Sequence, residues 1–236
     1  MTQNRTLDWN PVFDPNSKNY AISSLLTQRN VEPRTVLWEE GTVTDQGSEG
    51  ACVGFAWMNE LLATPYAPNT QPSSRTANRL ARSYYYEAQK LDDTPGENYV
   101  GTSVLAGAKV IKNKGFIDEY RWCFNIEDIR GALISEGPVV IGVPWYKKMY
   151  ETTPEGLVVV GGSKVGGHAI LLTGYVPKLT IGSKTLEVFR WRNSWGPDYG
   201  VNGSGWITAK DLKKLMRQGG EACVPMKRSL PSFKRF

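Results

Sequence analysis

Four side chains of this sequence have the types and the order needed for thiol chemistry. Cys52 lies six residues after Gln46, at the point where an apolar helical pattern begins. The chain contains one histidine, His168, and Asn193 follows it in the second half of the sequence. A thiol becomes a strong nucleophile as a thiolate, and a helix N-terminus or a neighbouring imidazolium lowers its pKa. The pattern predicts that Cys52 attacks an acyl carbon, with His168 as general base and then general acid.

The other two side chains would complete such a site. Attack on a carbonyl creates an oxyanion, which the backbone N–H of Cys52 and the side-chain amide of Gln46 can bind. Asn193 can accept a hydrogen bond from the imidazole nitrogen that faces away from the thiol, and Trp195 can shield that bond from water. Each residue alone has a simpler interpretation, because a single cysteine is most often a small core residue. The order of the four favours catalysis, with His168 116 residues and Asn193 141 residues after Cys52.

Three segments resemble the papain-like cysteine peptidases of the C1 family. Asp-Gln-Gly at 45–47 resembles the approach to the family's catalytic cysteine, and Gly-Gly-His-Ala at 166–169 matches its histidine strand. The most specific match is Asn-Ser-Trp-Gly at 193–196, which is followed by Gly200, Asn202, Gly203 and Trp206. The resemblance covers most of the chain and identifies it as a thiol protease similar to compact bacterial and bacteriophage members.

The resemblance implies a role for each of the four polar residues. Cys52 is the nucleophile that forms a thioester, and His168 is the base and acid. Asn193 orients the imidazole, and Gln46 belongs to the oxyanion hole. Among residues that touch substrate, Gly101 is expected to align an extended peptide, and Ala169 to line the pocket for the second residue before the cut.

Two further positions, Gly167 and Trp195, are also expected to border the substrate. The fold implied by the resemblance is α+β with two lobes. The left lobe is helical, the right lobe is antiparallel and β-barrel-like, and the active-site cleft lies between them. The expected boundaries are an N-terminal extension at 1–33 and a peptidase domain at 34–236. Within that domain the helical lobe spans about 42–137 and the strand-rich lobe about 138–225. Residues 34–41 are expected to join the strand-rich lobe.

The sequence departs from the family near the nucleophile and at the N-terminus. Glu49 stands where the family usually has a bridged cysteine, and it can either disfavour the thiolate or contact a basic substrate residue. The family's long inhibitory prosegment is expected to be missing, since residues 1–33 are too short for it. We hypothesise that this extension docks on the body through Trp9, Phe13 and Leu25 and partly covers the cleft.

Periodicity predicts a helical half followed by a strand-rich half. The expected helices are 50–63, 74–91, a third that Thr102 or Ser103 caps and Gly115 ends, 126–136 and 209–217. The expected strands are 139–143, 157–160, 168–176, 186–191 and 205–208, with a hairpin-like connection at 177–184. The nucleophile would therefore open a helix of the first lobe, and the base would begin a strand of the second.

Composition narrows the remaining classes of function. The chain has 28 basic and 23 acidic residues, which gives a net charge of +5. Because most of the basic residues are scattered over the sequence, nucleic-acid binding is not expected. No apolar run reaches the length of a membrane span, and no signal peptide is evident, which favours a cytoplasmic or virion-associated location. One histidine makes a metal site unexpected, and no cofactor is predicted. Three cysteines do not form a disulfide framework, although a bridge between Cys123 and Cys223 stays open.

Two competing functions share these features. The first is a thioester acyltransferase or transamidase that uses an amine in place of water. The second is a papain-fold virion or scaffold protein with weak or no activity, in which the site is a relic. The intact set of four polar residues favours the peptidase, whose partner is a protein or peptide substrate; an assembly or virion partner is left open.

Overall fold

The structure is a computed structural model that describes residues 5–12, 14–27, 31–92, 100–231 and 233. The hypothesised anchor Phe13 lies outside the described residues. Two short 3-10 helices, Pro15–Tyr20 and Lys147–Tyr150, accompany the α-helices. The α-helices of the described residues are α1 (Ser23–Leu26), α2 (Cys52–Leu62), α3 (Ser74–Gln89), α4 (Val104–Asn113), α5 (Ile126–Ser135) and α6 (Ala209–Arg217).

The helices begin where short polar side chains cap them. Ser73, Ser103, Asn125 and Thr208 each accept a hydrogen bond from a backbone N–H in the first turn of α3, α4, α5 and α6. Ser103, not Thr102, is therefore the cap of α4. The five helices predicted from periodicity are confirmed, with ends that differ by at most two residues.

The strands form one open, antiparallel sheet in the order β2-β7-β3-β4-β5-β6, with β1 beside β4. The strands of the described residues are β1 (Val36–Leu37), β2 (Ile117–Cys123), β3 (Val139–Tyr146), β4 (Lys164–Ile181), β5 (Lys184–Arg192), β6 (Ser204–Thr208) and β7 (Glu221–Arg228). Within the described residues nothing pairs β2 with β6, so the antiparallel half is a sheet and not a closed barrel.

Three expectations about strands differ from the structure. Residues 157–160 are not a strand; Leu157 and Val158 form only isolated bridges, because a turn at 153–156 ends the pairing at once. The expected connection at 177–184 is mostly strand, since β4 and β5 continue past the other strands as a two-stranded hairpin that turns at Gly182. Strands β2 and β7 were not predicted at all.

The sheet separates two apolar cores. Side chains alternate along a strand, so neighbouring residues of β3 and β4 enter opposite cores. One core lies under α2, α3 and α4 and includes Val140 and Leu171, and the other lies under α5 and α6 and includes Ile141 and Ile170. Cys223 belongs to the first core and Cys123 to the second, and both are free thiols. The disulfide that the sequence left open is thus absent, because the sheet lies between the two side chains.

The N-terminal residues lie against the body at two places. Ile22 is fully buried, and its N–H donates to Trp122 O at 2.9 Å, so the segment of α1 extends the edge of β2. Leu25 packs on the core beneath α5, and Trp9 is only 5% exposed. The docking hypothesis is confirmed for Trp9 and Leu25. Among the described residues, every helix is too short or too polar to cross a bilayer.

Candidate active site

Cys52 is the first residue of α2 and is completely buried. Among the described residues no side chain caps this helix, so its first N–H groups are free to interact with the sulfur. Burial raises the pKa of the Cys52 thiol to about 11, although backbone N–H groups of Ala169 and Asp8 donate to the sulfur and oppose the rise. The sequence predicts a lowered pKa for this thiol; the difference arises because the chain's own N-terminal residues cover the sulfur.

His168 lies in β4, opposite Val143 of β3, and is also fully buried. Its Nε2 donates to Asn193 Oδ1 at 2.8 Å, and the same oxygen accepts from the backbone N–H of Ser194 at 2.8 Å. Asn193 Oδ1 can only accept hydrogen bonds, so His168 Nε2 must carry the ring proton. In the neutral ring Nδ1 is therefore unprotonated and can act as a base. Nδ1 has no hydrogen-bond partner in the part of the chain that the structure describes. Burial lowers the pKa of His168 to about 4.

Aromatic rings surround the imidazole. The ring centroids of Trp195 and Trp145 each lie 4.7 Å from that of His168, and Trp145 also stacks on Trp191 at 5.5 Å. These contacts keep water away from the bond between His168 and Asn193, as expected for Trp195. Trp145 was missed, because a tryptophan at the end of a buried strand carries no signal beyond core packing.

Gln46 is held by both ends of its amide. Ser194 Oγ donates to Gln46 Oε1 at 2.6 Å, which fixes the direction of Nε2. Nε2 in turn donates to the backbone carbonyl oxygens of Glu49 at 2.9 Å and Thr6 at 3.2 Å. Ser194 is thus a positioning residue that the sequence analysis did not identify, although it lies within the matched Asn-Ser-Trp-Gly stretch.

Glu49 faces the surface of α3. Its carboxylate accepts from Arg82 Nε at 2.7 Å and from the Tyr86 hydroxyl. This pairing favours neither of the two roles considered for Glu49, because the charge is already balanced by Arg82.

Residues 5–10, which we term the cleft segment, cross the site. At one end Arg5 Nη1 donates to Trp195 O at 2.5 Å. Near the other end Trp9 N donates to Gly167 O at 3.0 Å. Around Trp9 the segment also pairs in parallel with Thr102, whose N–H donates to Asp8 O at 3.2 Å and whose carbonyl accepts from Asn10 N at 3.1 Å.

The expected substrate-contacting residues border this segment. The carbonyls of Gly167 and Trp195 bind it directly, and Ala169 N–H faces the Cys52 sulfur. Gly101 has a φ of +92°, and a Cβ there would overlap the carbonyl of Asp8. The neighbouring Thr102 makes the backbone bonds, so Gly101 permits close approach while Thr102 does the pairing.

The family model of the papain family cysteine proteases matches residues 74–223, which include His168 and Asn193. The chain belongs to this family. The matched region begins after Cys52, so the family match does not include Gln46 and Cys52. Their positions in this papain-family chain rest on the geometry described above. No curated protein sequence matches the chain.

Solved structures show the same papain-like fold. Xylellain, a cysteine protease from Xylella fastidiosa, is similar with a TM-score of 0.68 and 17% identity over 96% of this chain and 97% of that one. Procathepsin L 3 from the larval midgut of Tenebrio molitor has a TM-score of 0.56 and 13% identity, over 93% and 83%. The recombinant stem bromelain precursor has a TM-score of 0.56 and 14% identity, over 95% and 78%.

The papain-family site of this chain contains one more group that the sequence analysis missed. Trp9 of the cleft segment donates from Nε1 to Glu221 Oε1 at 2.7 Å. Burial raises the pKa of Glu221 to about 7, while the hydrogen bond from Trp9 opposes the rise. No sequence signal marks Glu221, because an acidic residue before a buried strand is ordinarily exposed.

Proposed function

We propose that the chain is a cysteine peptidase that hydrolyses peptide bonds through a Cys52 thioester, and that the cleft segment holds it in a latent state. The observation that carries the proposal is the hydrogen bond from His168 Nε2 to Asn193 Oδ1. It leaves Nδ1 as the one ring nitrogen able to take the proton of Cys52, whose sulfur lies at the backbone N–H of Ala169.

In the first half-reaction the Cys52 proton moves to His168 Nδ1, and the sulfur attacks the substrate carbonyl carbon. The oxyanion accepts hydrogen bonds from Cys52 N–H and Gln46 Nε2. His168 then returns its proton to the leaving amine as the C–N bond breaks. Asn193 holds the ring in place while it carries the extra proton.

In the second half-reaction a water molecule gives a proton to His168 and attacks the thioester carbonyl. The same two donors bind the second oxyanion, and the proton returns to the Cys52 sulfur as the C–S bond breaks. The products are a carboxylic acid and the free thiol, so the chemistry requires no metal or cofactor.

The latent state follows from what the cleft segment does to each group. The carbonyl oxygen of Thr6 accepts the hydrogen bond that Gln46 Nε2 would give to an oxyanion. The backbone N–H of Asp8 faces the Cys52 sulfur, where a substrate would present its carbonyl carbon. The segment also excludes water, so the thiol and the imidazole stay neutral. Two of the similar structures, procathepsin L 3 and the stem bromelain precursor, are precursor forms, which agrees with a covered cleft.

The proposal is tested by opening the cleft in the full chain with Trp9→Ala. This variant should cleave a peptide library, with ends read by mass spectrometry, and the double variant Trp9→Ala/Cys52→Ala should be at least about a hundredfold slower. A limiting alkylator at pH ~6 should label Cys52 in Trp9→Ala and spare the buried Cys123 and Cys223, which act as internal controls.

Equal cleavage with and without Cys52, or equal labelling of the three thiols, would reject the peptidase. Adding an amine to the digest distinguishes a peptidase from an acyltransferase. Amide products in place of carboxylic acids would identify a transferase.

A further inference from the structure

We infer that α6 and its surroundings form a docking surface for an acidic segment of a protein substrate, and that this segment follows the cleavage site in the substrate chain. The inference rests on the proposed function, because it assigns the bound segment to the polypeptide that Cys52 cleaves. We term the surface the basic face. Its exposed side chains are Lys147, Lys148, Lys164, Lys210, Lys213, Lys214 and Arg217.

The spacing of the basic residues on α6 puts them on one side of the helix. Helical residues that lie three, four and seven positions apart share a side, as these four do. They are Lys210, Lys213, Lys214 and Arg217. The opposite side is apolar, since Leu212 and Leu215 are completely buried in the core. The acidic residue of α6, Asp211, lies between the two sides and is half-buried. The side that faces solvent is therefore purely basic.

Strands β3 and β4 add further basic side chains beside α6. Lys214 Nζ lies 5.7 Å from the centre of the Tyr146 ring, and the Tyr146 hydroxyl donates to Gln218 Oε1 at 2.9 Å. These contacts place α6 on the end of β3. Lys164 of β4 pairs with Tyr146, so its side chain points to the side of the sheet that α6 covers. The two lysines at 147–148 follow Tyr146 directly in the chain.

The protein itself does not neutralise these charges. Among the residues that the structure describes, no side chain of the basic face forms an ion pair with a carboxylate. The arginines of the nearby strand β5 differ, because Arg190 and Arg192 both pair with Glu40. A cluster of unpaired like charges repels itself, and a partner of opposite charge relieves that repulsion. The basic face is thus complementary to a run of aspartate and glutamate.

The basic face extends to the rim of the cleft. The 3-10 helix that begins with the lysines at 147–148 ends at Tyr150, and the ring of Tyr150 stacks on Trp195 at 5.5 Å. Trp195 contacts His168, with 4.7 Å between the two ring centroids. A polypeptide that leaves the cleft over Trp195 therefore meets the basic face next.

The path of the cleft segment indicates which part of a substrate would leave on that side. Its first residue binds Trp195, its fourth meets the Cys52 sulfur, and its fifth, Trp9, binds Gly167. Gly167 lies in the same strand as Ala169, which is expected to line the pocket for the second residue before the cut. The Trp195 end of the cleft would therefore hold the residues after the cut.

A polypeptide fits the basic face better than a membrane or a nucleic acid does. Helices that bind membrane surfaces insert apolar side chains, whereas Leu212 and Leu215 of α6 are buried in the core. Bases stack on exposed aromatic rings, and within the described part of the chain no strongly exposed ring belongs to the basic face. The four charges of α6 span about 10 Å, the length of about three residues of extended peptide.

The first experiment measures binding without catalysis. In the full chain with Cys52→Ala, fluorescence anisotropy follows a labelled peptide that contains about six alternating aspartate and glutamate residues. We expect Lys213→Glu/Arg217→Glu to raise the Kd of this peptide at least about tenfold, and about 0.5 M salt to weaken binding similarly. Lys90→Glu/Lys112→Glu is the matched control, since it makes the same change in charge at exposed side chains outside the basic face. Equal losses in the two double variants would overturn the inference.

The second experiment tests the two other classes of partner. Vesicles of phosphatidylserine and phosphatidylcholine, or a duplex DNA of about 20 base pairs, compete with the labelled peptide at equal concentrations of negative charge. We expect the unlabelled acidic peptide to compete best. Stronger competition from the vesicles or the DNA would overturn the inference and identify a membrane or a nucleic acid as the partner.

The third experiment measures cleavage by the full-length Trp9→Ala variant. Three quenched fluorescent substrates share a core sequence that this variant cleaves in the peptide library. The first carries the acidic run after the core, behind a flexible Gly-Ser spacer of about four residues. The second carries serines in place of the acidic residues, and the third carries the acidic run before the core. We expect kcat/KM of the first substrate to exceed that of the other two about tenfold.

The preference for the first substrate should depend on α6. We expect the ratio of kcat/KM between the first two substrates to fall to about one when Lys213→Glu/Arg217→Glu is added. Lys213→Gln/Arg217→Gln should lower the ratio part of the way, because it removes positive charge without adding repulsion. A ratio that neither double variant changes would overturn the inference.

The results separate the docking surface from the proposed function. Binding of the acidic peptide that depends on Lys213 and Arg217, with no cleavage of any substrate, would support the docking surface and reject the peptidase. Cleavage of all three substrates at equal rates would overturn the inference and leave the peptidase intact.

Discussion

Gln46 donates its side-chain amide hydrogen to the main-chain carbonyl oxygen of Thr6 at 3.2 Å. The donor that is proposed to bind an oxyanion is thereby satisfied by the chain's own N-terminal residues. In the proposed mechanism this contact couples latency to catalysis, because the cleft segment must leave Gln46 before a substrate carbonyl can take its place. We expect Trp9, the buried anchor of the same segment, to control this release.

Trp9→Ala should activate the enzyme and destabilise the closed form. Losing a buried indole costs about 3 kcal/mol or more, which corresponds to a shift of about a hundredfold in the balance between closed and open cleft. We expect kcat/KM on a peptide substrate to rise at least about tenfold, measured beside thermal melting. Tyr20→Ala is the matched control, since Tyr20 lies on the same N-terminal extension but is 51% exposed. Equal activity of the two variants would mean that Trp9 does not hold the cleft closed.

The single histidine gives a direct report of closure. Burial lowers the pKa of His168 to about 4 in the closed form, below its ordinary value of 6.5. A depressed pKa means that the closed form keeps its stability above pH 6.5 and loses it as the pH falls through about 4. The ring protons of His168 are the only histidine signals that NMR can show, so their titration needs no assignment.

We expect these signals to titrate near pH 4 in the full chain and at higher pH in Trp9→Ala, where water reaches the ring. A titration near pH 6.5 in both proteins would show that the cleft segment does not bury the imidazole.

The sequence predicted the positions of Cys52 and His168 in the fold better than their burial and pKa values. Cys52 begins α2 and His168 lies in β4 as expected, because apolar periodicity determines these elements. Burial of the site by the cleft segment depends on contacts between residues 40 or more positions apart, such as Thr6 with Gln46 and Trp9 with Thr102. No local pattern encodes such contacts, so the raised pKa of Cys52 could not be foreseen.

Strands β2 and β7 were missed for a related reason. Ile117–Cys123 has charged residues in its middle and a mixed burial pattern, so it lacks the apolar alternation of a strand. Its pairing partner β7 lies about 100 residues later, and only the assembled sheet brings Trp122 beside Cys223. Glu221, at the start of β7, was overlooked together with its strand.

Ser194→Ala should weaken catalysis without removing a reacting group. The Ser194 hydroxyl donates to Gln46 Oε1 at 2.6 Å, so its loss frees the amide to turn. In the Trp9→Ala background we expect kcat to fall about tenfold with little change in KM, because oxyanion binding matters chiefly in the transition state. Ser135→Ala is the control, since that hydroxyl bonds to Gly131 O within α5, far from the site. A change in KM alone would place Ser194 in substrate binding.

Arg228→Met should be strongly destabilising. Arg228 Nε donates to Glu60 Oε1 at 2.6 Å, and its other nitrogens donate to the carbonyls of Glu136 and Pro138 at 2.8 Å and 3.1 Å. Burial raises the pKa of Glu60 even though Arg228 counteracts it, so removing the guanidinium leaves an unpaired charge inside the protein.

A loss of one partner of such a pair costs about 3–5 kcal/mol, which urea unfolding can measure. The raised pKa of Glu60 also predicts how this loss depends on pH. A protonated, uncharged Glu60 is tolerated in the interior, so the destabilisation caused by Arg228→Met should become smaller as the pH is lowered. Lys227→Met, at the adjacent and largely exposed side chain, should change the free energy of unfolding by less than about 1 kcal/mol. Similar losses in both variants would contradict a structural role for the Glu60–Arg228 pair, which ties α2 to β7.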